Sequence, residues 1–166
     1  MELLVREARL EDAAAIVGIL NPIIEAGLYS AFDTPLSVEA EQAFIRGFRA
    51  RGIFHVAVDR ADHRVLAFQC LEPFATYTHA FDHVGTLGTF VDLASRRRGI
   101  AATLFDATFD AARRKGYEKL FTFVRADNPA ALATYRKHGF AIVGTARRHA
   151  KINGAYVDEI IIERFL

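Results

Sequence analysis

A basic, glycine-containing loop that follows a β-rich segment is the part of this sequence best suited to chemistry. The segment ends at Val91, and the loop carries Arg96, Arg97 and Arg98 before a helical pattern begins at Gly99. A helix N-terminus presents unpaired main-chain N–H groups and the positive end of the helix dipole, which suit a phosphate. Neighbouring arginines add charge-assisted hydrogen bonds to phosphate oxygens. We therefore expect a phosphate-bearing ligand that is held mainly by the backbone.

The spacing of this loop excludes two common phosphate-binding motifs. Neither G-x-x-x-x-G-K-S/T nor G-x-G-x-x-G occurs in the sequence. The loop reads Arg96-x-x-Gly99-x-Ala101 instead. It resembles the pyrophosphate-binding motif Q/R-x-x-G-x-G/A of the GNAT superfamily of acyl-CoA-dependent N-acyltransferases. Taken alone, the six residues also fit an arginine-rich helix start with a solvated run of charge.

A second motif downstream strengthens the resemblance. Asn128, Ala131, Tyr135 and Gly139-Phe140 follow the family signature N-x-x-A-x-x-x-Y-x-x-x-G-F. The signature lies one helix and one strand after the first motif, as in the family. Residues 5–16 also resemble the first strand and first helix of the family, so the similarity covers essentially the whole chain. The resemblance implies a single N-acetyltransferase domain over residues 1–166.

Acyl transfer from a thioester to an amine needs an oriented thioester, an amine that has lost a proton and a stabilised thiolate. The resemblance implies that the strand edge near Phe90 and Val91 binds the pantetheine arm through its backbone. It also implies that backbone N–H groups from Arg97 to Ala101 bind the pyrophosphate. The implied cofactor-binding residues are Phe90, Val91, Arg96, Arg97, Arg98, Gly99, Ile100, Ala101 and Asn128. The co-substrate is then acetyl-CoA, and no metal is expected.

Tyr135 is the catalytic side chain that the resemblance implies. A phenol has an ordinary pKa of about 10, so it stays protonated at neutral pH and can donate to a developing thiolate. In the family this tyrosine lies at the coenzyme sulfur and acts as general acid. The alternative is an aromatic ring packed on Leu132 and Phe140. Asn128 is expected to cap the helix that carries Tyr135 and, by resemblance, to contact the coenzyme.

The base that deprotonates the amine is left open by the sequence. Subfamilies that act on amino-acid-like amines often place a glutamate five residues before the position of Val91, and this chain has Thr86 there. A threonine cannot serve as the base. A water chain that ends on a backbone carbonyl is one alternative. The titratable alternatives along the chain are Glu72, His79, Asp82, His83 and Asp92.

Within the superfamily the chain most resembles the phosphinothricin and methionine-sulfoximine acetyltransferases. Asn21, residues 30–35 and residues 154–158 carry this similarity, whereas Thr86 and the long turn at 151–154 depart from it. The expected acceptor is a small amino-acid-like primary amine that attacks directly within a ternary complex. The expected substrate-binding residues are Phe32 and Thr86, with anchoring of its own loop as the alternative for Phe32. Polyamines, aminoglycosides, protein N-termini and a non-catalytic acyl-CoA-binding regulatory role remain as alternatives.

Composition narrows the class of protein further. The chain has 166 residues, of which 52% are hydrophobic, and this content supports a packed core. A net charge of +1 gives no reason to expect nucleic acid. Cys70 is the single cysteine, so an internal disulfide is excluded. No secretory signal and no apolar run of about 18 residues is visible, so we expect a cytoplasmic protein without a membrane partner. A homodimer is left open.

The elements that must position these residues alternate between strands and helices. Periodicity and capping residues predict helices at 11–26, 38–50, 99–115 and 128–139, with Pro22 disturbing the first or ending it early. The predicted strands are 3–8, 53–58, 64–74, 83–91, 120–125, 140–147 and 156–163, with Asn153-Gly154 as a hairpin turn. This order is a mixed α/β (α+β) layout. The resemblance implies a GNAT-like fold, with a mixed, mostly antiparallel seven-stranded sheet flanked by about four helices.

Overall fold

The computed structural model describes residues 2–166 and places seven strands in one sheet. The strands are β1 (Leu3–Glu7), β2 (Ile53–Asp59), β3 (Val65–Pro73), β4 (Val84–Val91), β5 (Lys119–Arg125), β6 (Ala141–Ile152) and β7 (Ala155–Phe165). The helices are α1 (Ala13–Ala26), α2 (Val38–Arg46), α3 (Ile100–Arg114) and α4 (Pro129–Lys137). The spatial order is β1-β2-β3-β4-β5-β7-β6, and every neighbouring pair is antiparallel except β4 and β5. The predicted seven-stranded mixed sheet with four helices is confirmed.

Both faces of the sheet are covered by helices, because side chains alternate between the faces along each strand. Phe54 and Phe68 point to the face where α1 and α2 pack. Leu71 and Leu87 point to the opposite face, where they join a buried cluster with Phe105 of α3 and residues of α4. The sheet is therefore the central layer of three, and each face has its own apolar core.

The two parallel strands in the middle of the sheet separate from each other. β4 pairs with β5 only over Val84–Thr86, whereas its pairing with β3 continues to Val91. Just beyond the last pair, the Thr122 hydroxyl on β5 donates to the carbonyl of Leu87 at 2.6 Å. From there onward the two strands diverge, and a wedge-shaped opening forms in the sheet between them.

The expected effect of Pro22 on the first helix and the predicted end of the second helix are wrong. α1 continues through Pro22 to Ala26. Pro22 and Gly18, whose carbonyl loses its donor, are both exposed, so water can reach the freed carbonyl. Four large side chains on either side of Pro22 are buried, which outweighs the cost of about 3 kcal/mol for an internal proline. α2 ends at Arg46, because Gly47 rather than Gly52 lies at its C-cap.

The hairpin of β6 and β7 is longer than predicted. β6 extends to Ile152 because a register shift between Ala146 and Ala150 lets the strand resume its pairing with β7. Arg148 lies inside this shift with a φ of 52°. The turn at Asn153-Gly154 is confirmed: both residues have positive φ, 49° and 81°, as a two-residue hairpin turn requires.

Candidate active site

Two cavities open into the wedge between β4 and β5. The first lies over the loop before α3 and has a volume of about 410 Å³; the second lies beside the loop after α1 and has about 320 Å³. Six residues line both of them: Tyr29, Thr89, Phe90, Asn128, Ala131 and Tyr135. The cavities are therefore two compartments that meet at a shared wall, and Tyr135 is part of that wall.

The first cavity has unpaired main-chain donors at the start of α3. Within residues 2–166, the N–H groups from Arg97 to Ala101 donate to no acceptor, and the N–H of Ala102 is the first to find one, the Gly99 carbonyl. Arg97 and Gly99 turn the loop with φ angles of 61° and 79°. A Cβ on Gly99 would meet no atom within 4 Å, so the space in front of these donors is open. Such an arrangement fits a pyrophosphate group.

The charge around the first cavity is positive. Arg96, Arg97 and Lys137 all line it, and among residues 2–166 it has no carboxylate in its lining. The Arg96 guanidinium stacks on the Tyr29 ring, 4.0 Å from its centroid, which holds that side chain at the edge of the cavity. Of the arginines expected to bind cofactor, Arg98 alone does not line either cavity.

The main chain of β4 has free hydrogen-bonding groups along the wedge. The N–H of Asp92 donates to Leu66 on β3 at 2.9 Å. Because main-chain groups of successive strand residues point to opposite sides, those of Phe90 also point to β3. Those of Thr89 and Val91 point into the wedge, where β5 is no longer paired. Val91 thus lies as expected, whereas Phe90 contributes its side chain to the wall, and the residue that the sequence reasoning missed is Thr89.

Tyr135 is held on the wall between the compartments by rings and one hydroxyl. Its ring packs edge-on against Phe105 and Phe140, and only 8% of the residue is exposed. Its hydroxyl donates to Thr89 Oγ1 at 3.2 Å. Burial raises the pKa of the Tyr135 phenol, and the hydrogen bond to Thr89 opposes that rise only in part. The ring of Tyr135 thus packs in the core, as one alternative from the sequence had it, while its hydroxyl lies in the wall between the two compartments.

A hydrogen-bonded chain extends from Tyr135 into the sheet. Thr89 also accepts from Gln69 Nε2 at 2.8 Å, and Gln69 is fully buried on β3. Asn128 has the predicted capping role: its side chain accepts from the N–H of Ala131 at 3.2 Å. Asn128 also lines both compartments, so it is part of the wall that they share.

The second cavity contains one of the two residues expected to bind substrate. Phe32 lines it, and its ring lies 6.0 Å from the ring of Phe90. Thr86 lines neither cavity, because it lies in the paired part of β4 between Glu72 of β3 and Phe121 of β5. Position 86, where the family subgroup often has a glutamate, therefore lies outside both cavities.

Glu159 on β7 is the acidic residue that sequence reasoning missed. It lines the second cavity, and within residues 2–166 it is the single carboxylate that lines either cavity. The open candidates for the base, Glu72, His79, Asp82, His83 and Asp92, all lie outside the two linings. The sequence signal for Glu159 was weak, because only the pairing of β7 with β5 brings it to the wedge.

Residues 2–166 have neither a metal-binding cluster nor a membrane-spanning helix. In residues 2–166 the His, Cys, Asp and Glu side chains form no group of three or more that could hold a metal ion. No helix in the same part of the chain combines the length and apolar character needed to cross a membrane.

Comparison with known proteins agrees with this geometry. The sequence model of the Acetyltransferase (GNAT) family matches residues 24–140. The chain is 27% identical over 161 residues to a protein of Bacillus subtilis (strain 168) named "Putative phosphinothricin acetyltransferase YwnH", covering 97% of this chain and 98% of that protein. It is 22% identical over 157 residues to an L-methionine sulfoximine/L-methionine sulfone acetyltransferase of Pseudomonas aeruginosa, covering 93% and 89%.

A solved structure has the same fold. It is a GNAT superfamily phosphinothricin acetyltransferase from Sinorhizobium meliloti in complex with AcCoA. The TM-score is 0.90 at 19% identity, and the match covers 100% of this chain and 89% of that one. At this identity the match shows that the two chains share a fold.

Proposed function

The chain belongs to the GNAT family of acetyltransferases, and we propose that it transfers the acetyl group of acetyl-CoA to the primary amine of a small amino-acid-like acceptor. The observation that carries this proposal is the pair of compartments that meet at Tyr135. One compartment has the donors and the positive charge that a coenzyme pyrophosphate needs. The other is bordered by the loop after α1 and has a volume of about 320 Å³, which suits a small acceptor. This arrangement supports the proposal of direct attack in a ternary complex, because the two substrates would reach one wall from different sides.

In this proposal, residues of the first compartment hold and orient acetyl-CoA. The N–H groups from Arg97 to Ala101 bind the pyrophosphate, with Arg96 and Arg97 adding charge. The main-chain groups of Thr89 and Val91 bind the pantetheine arm as an added strand would bind, which directs the thioester along β4 toward Tyr135. Acetyl-CoA supplies the activated acyl group, and the chain supplies its position.

Tyr135 is proposed to donate a proton to the coenzyme sulfur as the C–S bond breaks. A phenol with a raised pKa is fully protonated at neutral pH and is therefore ready to donate. After it has donated, the Thr89 hydroxyl can turn and donate to the phenolate, since Gln69 already donates to Thr89. In this proposal Tyr135 gives its proton to the sulfur, and Thr89 and Gln69 stabilise the phenolate that remains.

The acceptor is proposed to be amino-acid-like because of the size and lining of the second compartment. Phe32, Phe90 and Phe123 give it apolar walls, and Glu159 gives it one negative charge. Arg125, which is paired with Asp127, also lines it. A polyamine, with several cationic groups, would need several carboxylates, and the compartment has one. The relatives named for phosphinothricin and methionine sulfoximine support the same class of acceptor.

The test is release of coenzyme thiol from acetyl-CoA with a panel of amines. The panel holds free amino acids, methionine sulfone and sulfoximine, phosphinothricin, polyamines, aminoglycosides and short peptides. We expect turnover with the amino-acid analogues and a rise in melting temperature with acetyl-CoA alone. Turnover confined to peptides or polyamines would overturn the acceptor class, and the lack of any thermal shift would overturn the coenzyme site. Burial raises the pKa of the Cys70 thiol, so thiol reagents in the assay react slowly with the protein itself.

A further inference from the structure

We propose that Glu159 is the catalytic base of this enzyme: its carboxylate binds the ammonium group of the acceptor and takes one proton from it before attack. The inference rests on the function proposed above and adds the residue that deprotonates the amine. A compartment with one carboxylate in its lining, beside the Arg125 guanidinium, suits an acceptor with one cationic amine.

The first argument is the position of the carboxylate. Glu159 lines the compartment that Tyr135, Thr89 and Leu87 also line, so the base and the acid lie on one cavity from two different elements, β7 and α4. No other carboxylate within residues 2–166 lines either compartment. A primary amine is protonated at neutral pH, so an enzyme that uses it as a nucleophile needs a base within reach.

The second argument is that this buried carboxylate has no hydrogen-bond donor within the described chain. Glu159 is 8% exposed. Its cross-strand neighbour Arg125 is already used: the guanidinium donates to both carboxylate oxygens of Asp127 and to the carbonyls of Gly27 and Ser30. The Glu159 oxygens are not among the side-chain atoms sealed from solvent without a partner, so they face the cavity, where the ammonium group of an acceptor can reach them.

The third argument is a route by which the proton can leave. His149 Nε2 lies 3.8 Å from Glu159 Oε2, and the His149 side chain is 50% exposed. Its ring stacks on Phe123, with centroids 5.2 Å apart, and this contact fixes the imidazole at the mouth of the compartment. The imidazole thus stands between the buried carboxylate and solvent, where it can accept the proton from Glu159 through a small movement or one water.

The protons and bonds of the proposed step balance. The ammonium nitrogen loses one proton to Glu159, forms the C–N bond to the thioester carbonyl carbon, and the C–S bond then breaks. The thiolate takes the proton of Tyr135. The second proton of the attacking nitrogen restores the Tyr135 phenol, so one proton in total leaves through Glu159 to solvent.

Glu159→Gln tests this role, because it removes the charge and keeps the shape. We expect the kcat/KM for the amino-acid acceptor to fall about 100-fold at pH 7, a typical contribution of a general base. The loss should shrink as the pH rises above the pKa of the acceptor amine, since a free amine needs no base. It should also be small for an O-alkylhydroxylamine acceptor, whose nitrogen is unprotonated at neutral pH. The titratable and charged groups facing Glu159 are Arg125, His149 and, across the cavity, Tyr135.

The controls separate the outcomes. Glu163→Gln changes a carboxylate on the same strand that lies outside the compartment, and it should leave kcat/KM near the wild-type value. The acetyl-CoA thermal shift of Glu159→Gln should equal that of the wild type. An equal loss at every pH and with both acceptors would assign Glu159 to structure and overturn the inference, as would no loss at all. Failure of the wild type with every amine would instead overturn the proposed function itself.

Discussion

At the residue scale, Tyr135 combines a ring that packs in the core with a hydroxyl that faces the cavities. Its ring is part of the core with Phe105 and Phe140, whereas its hydroxyl reaches the wedge and donates to Thr89. Desolvation raises the pKa of the phenol, so the protonated form persists through the whole neutral range. The consequence is that Tyr135 should add no ionisation of its own to the pH profile near neutrality.

Replacing Tyr135 by Phe should remove the proton donor and keep the ring in the core. We expect kcat to fall about 100-fold, since general-acid assistance is usually worth this much, and the Kd for acetyl-CoA to stay within about twofold. Steady-state kinetics and coenzyme titration measure the two quantities separately. Equal losses in turnover and in coenzyme affinity would mean that the hydroxyl serves the structure of the site and has no part in the chemistry.

Gly99 and Gly116 form a matched pair for testing the coenzyme compartment. Both have positive φ, 79° and 84°, and at both a Cβ would meet no atom within 4 Å. Valine at either position should therefore cost a similar amount of stability, about 1–2 kcal/mol. Only Gly99 lies in the lining of the compartment. We expect acetyl-CoA binding, measured by calorimetry, to be lost in Gly99→Val and kept in Gly116→Val; retained binding in both would contradict the pyrophosphate site.

At the scale of elements, the parts that sequence predicted are those with local signals. Periodic apolar residues, the Ser37 and Asn128 caps and the Asn153-Gly154 turn each depend on neighbours in the chain, and each is present in the structure. The wedge has no such signal, because it forms where β4 and β5 stop pairing and these strands are far apart in sequence. Thr89 and Glu159 were missed for the same reason: only the register of β4 and β7 brings them to the cavity.

The loop between α1 and α2 is fixed at both ends by buried polar contacts. Asn21 exchanges two hydrogen bonds with the main chain of Leu36, at 2.9 and 3.0 Å. Arg125 donates to the carbonyls of Gly27 and Ser30 from the other side. Because Phe32 and its neighbours line the acceptor compartment, these contacts set the shape of that compartment.

Arg125→Ala should release this loop and leave its carbonyls unpaired. We expect the KM for the acceptor to rise about tenfold, and the free energy of unfolding to fall by about 1–3 kcal/mol, as for other buried groups left without partners. Asp127→Asn is the matched control: it weakens the Arg125–Asp127 ion pair and leaves the loop contacts in place. If Asp127→Asn raised KM as much as Arg125→Ala, the ion pair rather than the loop contacts would control the acceptor site.

At the scale of the whole molecule, the sequence predicted the order of elements, and the family resemblance predicted the sheet. Both were accurate because motifs on either side of the wedge, at Arg96–Ala101 and Asn128–Phe140, lie in the segment that the family model matches. The assignment of the chain to one domain and the homodimer stay predictions, since nothing in the fold tests them.

The pH dependence of stability is also a property of the whole molecule, because several buried groups each contribute to the free energy of unfolding. Burial lowers the pKa of His55. Burial by itself would raise the pKa of Asp12, but hydrogen bonds from Arg6 and from the Arg9 N–H, together with the charges of both arginines, lower it overall. The stabilisation from Asp12 is present above its ordinary pKa and is lost as pH falls; His55 likewise favours the unfolded chain once pH falls below about 6.5. Both groups therefore make the fold weaker in acid.

Glu41 acts in the opposite direction. It is 4% exposed on the sheet-facing side of α2, and within residues 2–166 its Oε1 has no hydrogen-bond partner. Burial raises its pKa, so its contribution to stability is present below the ordinary carboxyl pKa and is lost as pH rises through the raised value. At pH 4 the folded protein holds Glu41 as a neutral acid, whereas at pH 8 burial of this group costs free energy that the unfolded chain does not bear.

Glu41→Gln should therefore stabilise the protein at pH 8, by about 1–3 kcal/mol, and change it little at pH 4. Glu39→Gln is the matched control, since Glu39 is exposed in the same first turn of α2 and loses the same interaction with the helix dipole. Urea unfolding of the two variants and the wild type at both pH values measures the effect. The acid sensitivity of His55 and Asp12 is common to all three proteins and cancels in the differences. A gain of equal size at pH 4 and pH 8, or a loss at pH 8, would show that the ionisation of Glu41 does not lower the free energy of unfolding.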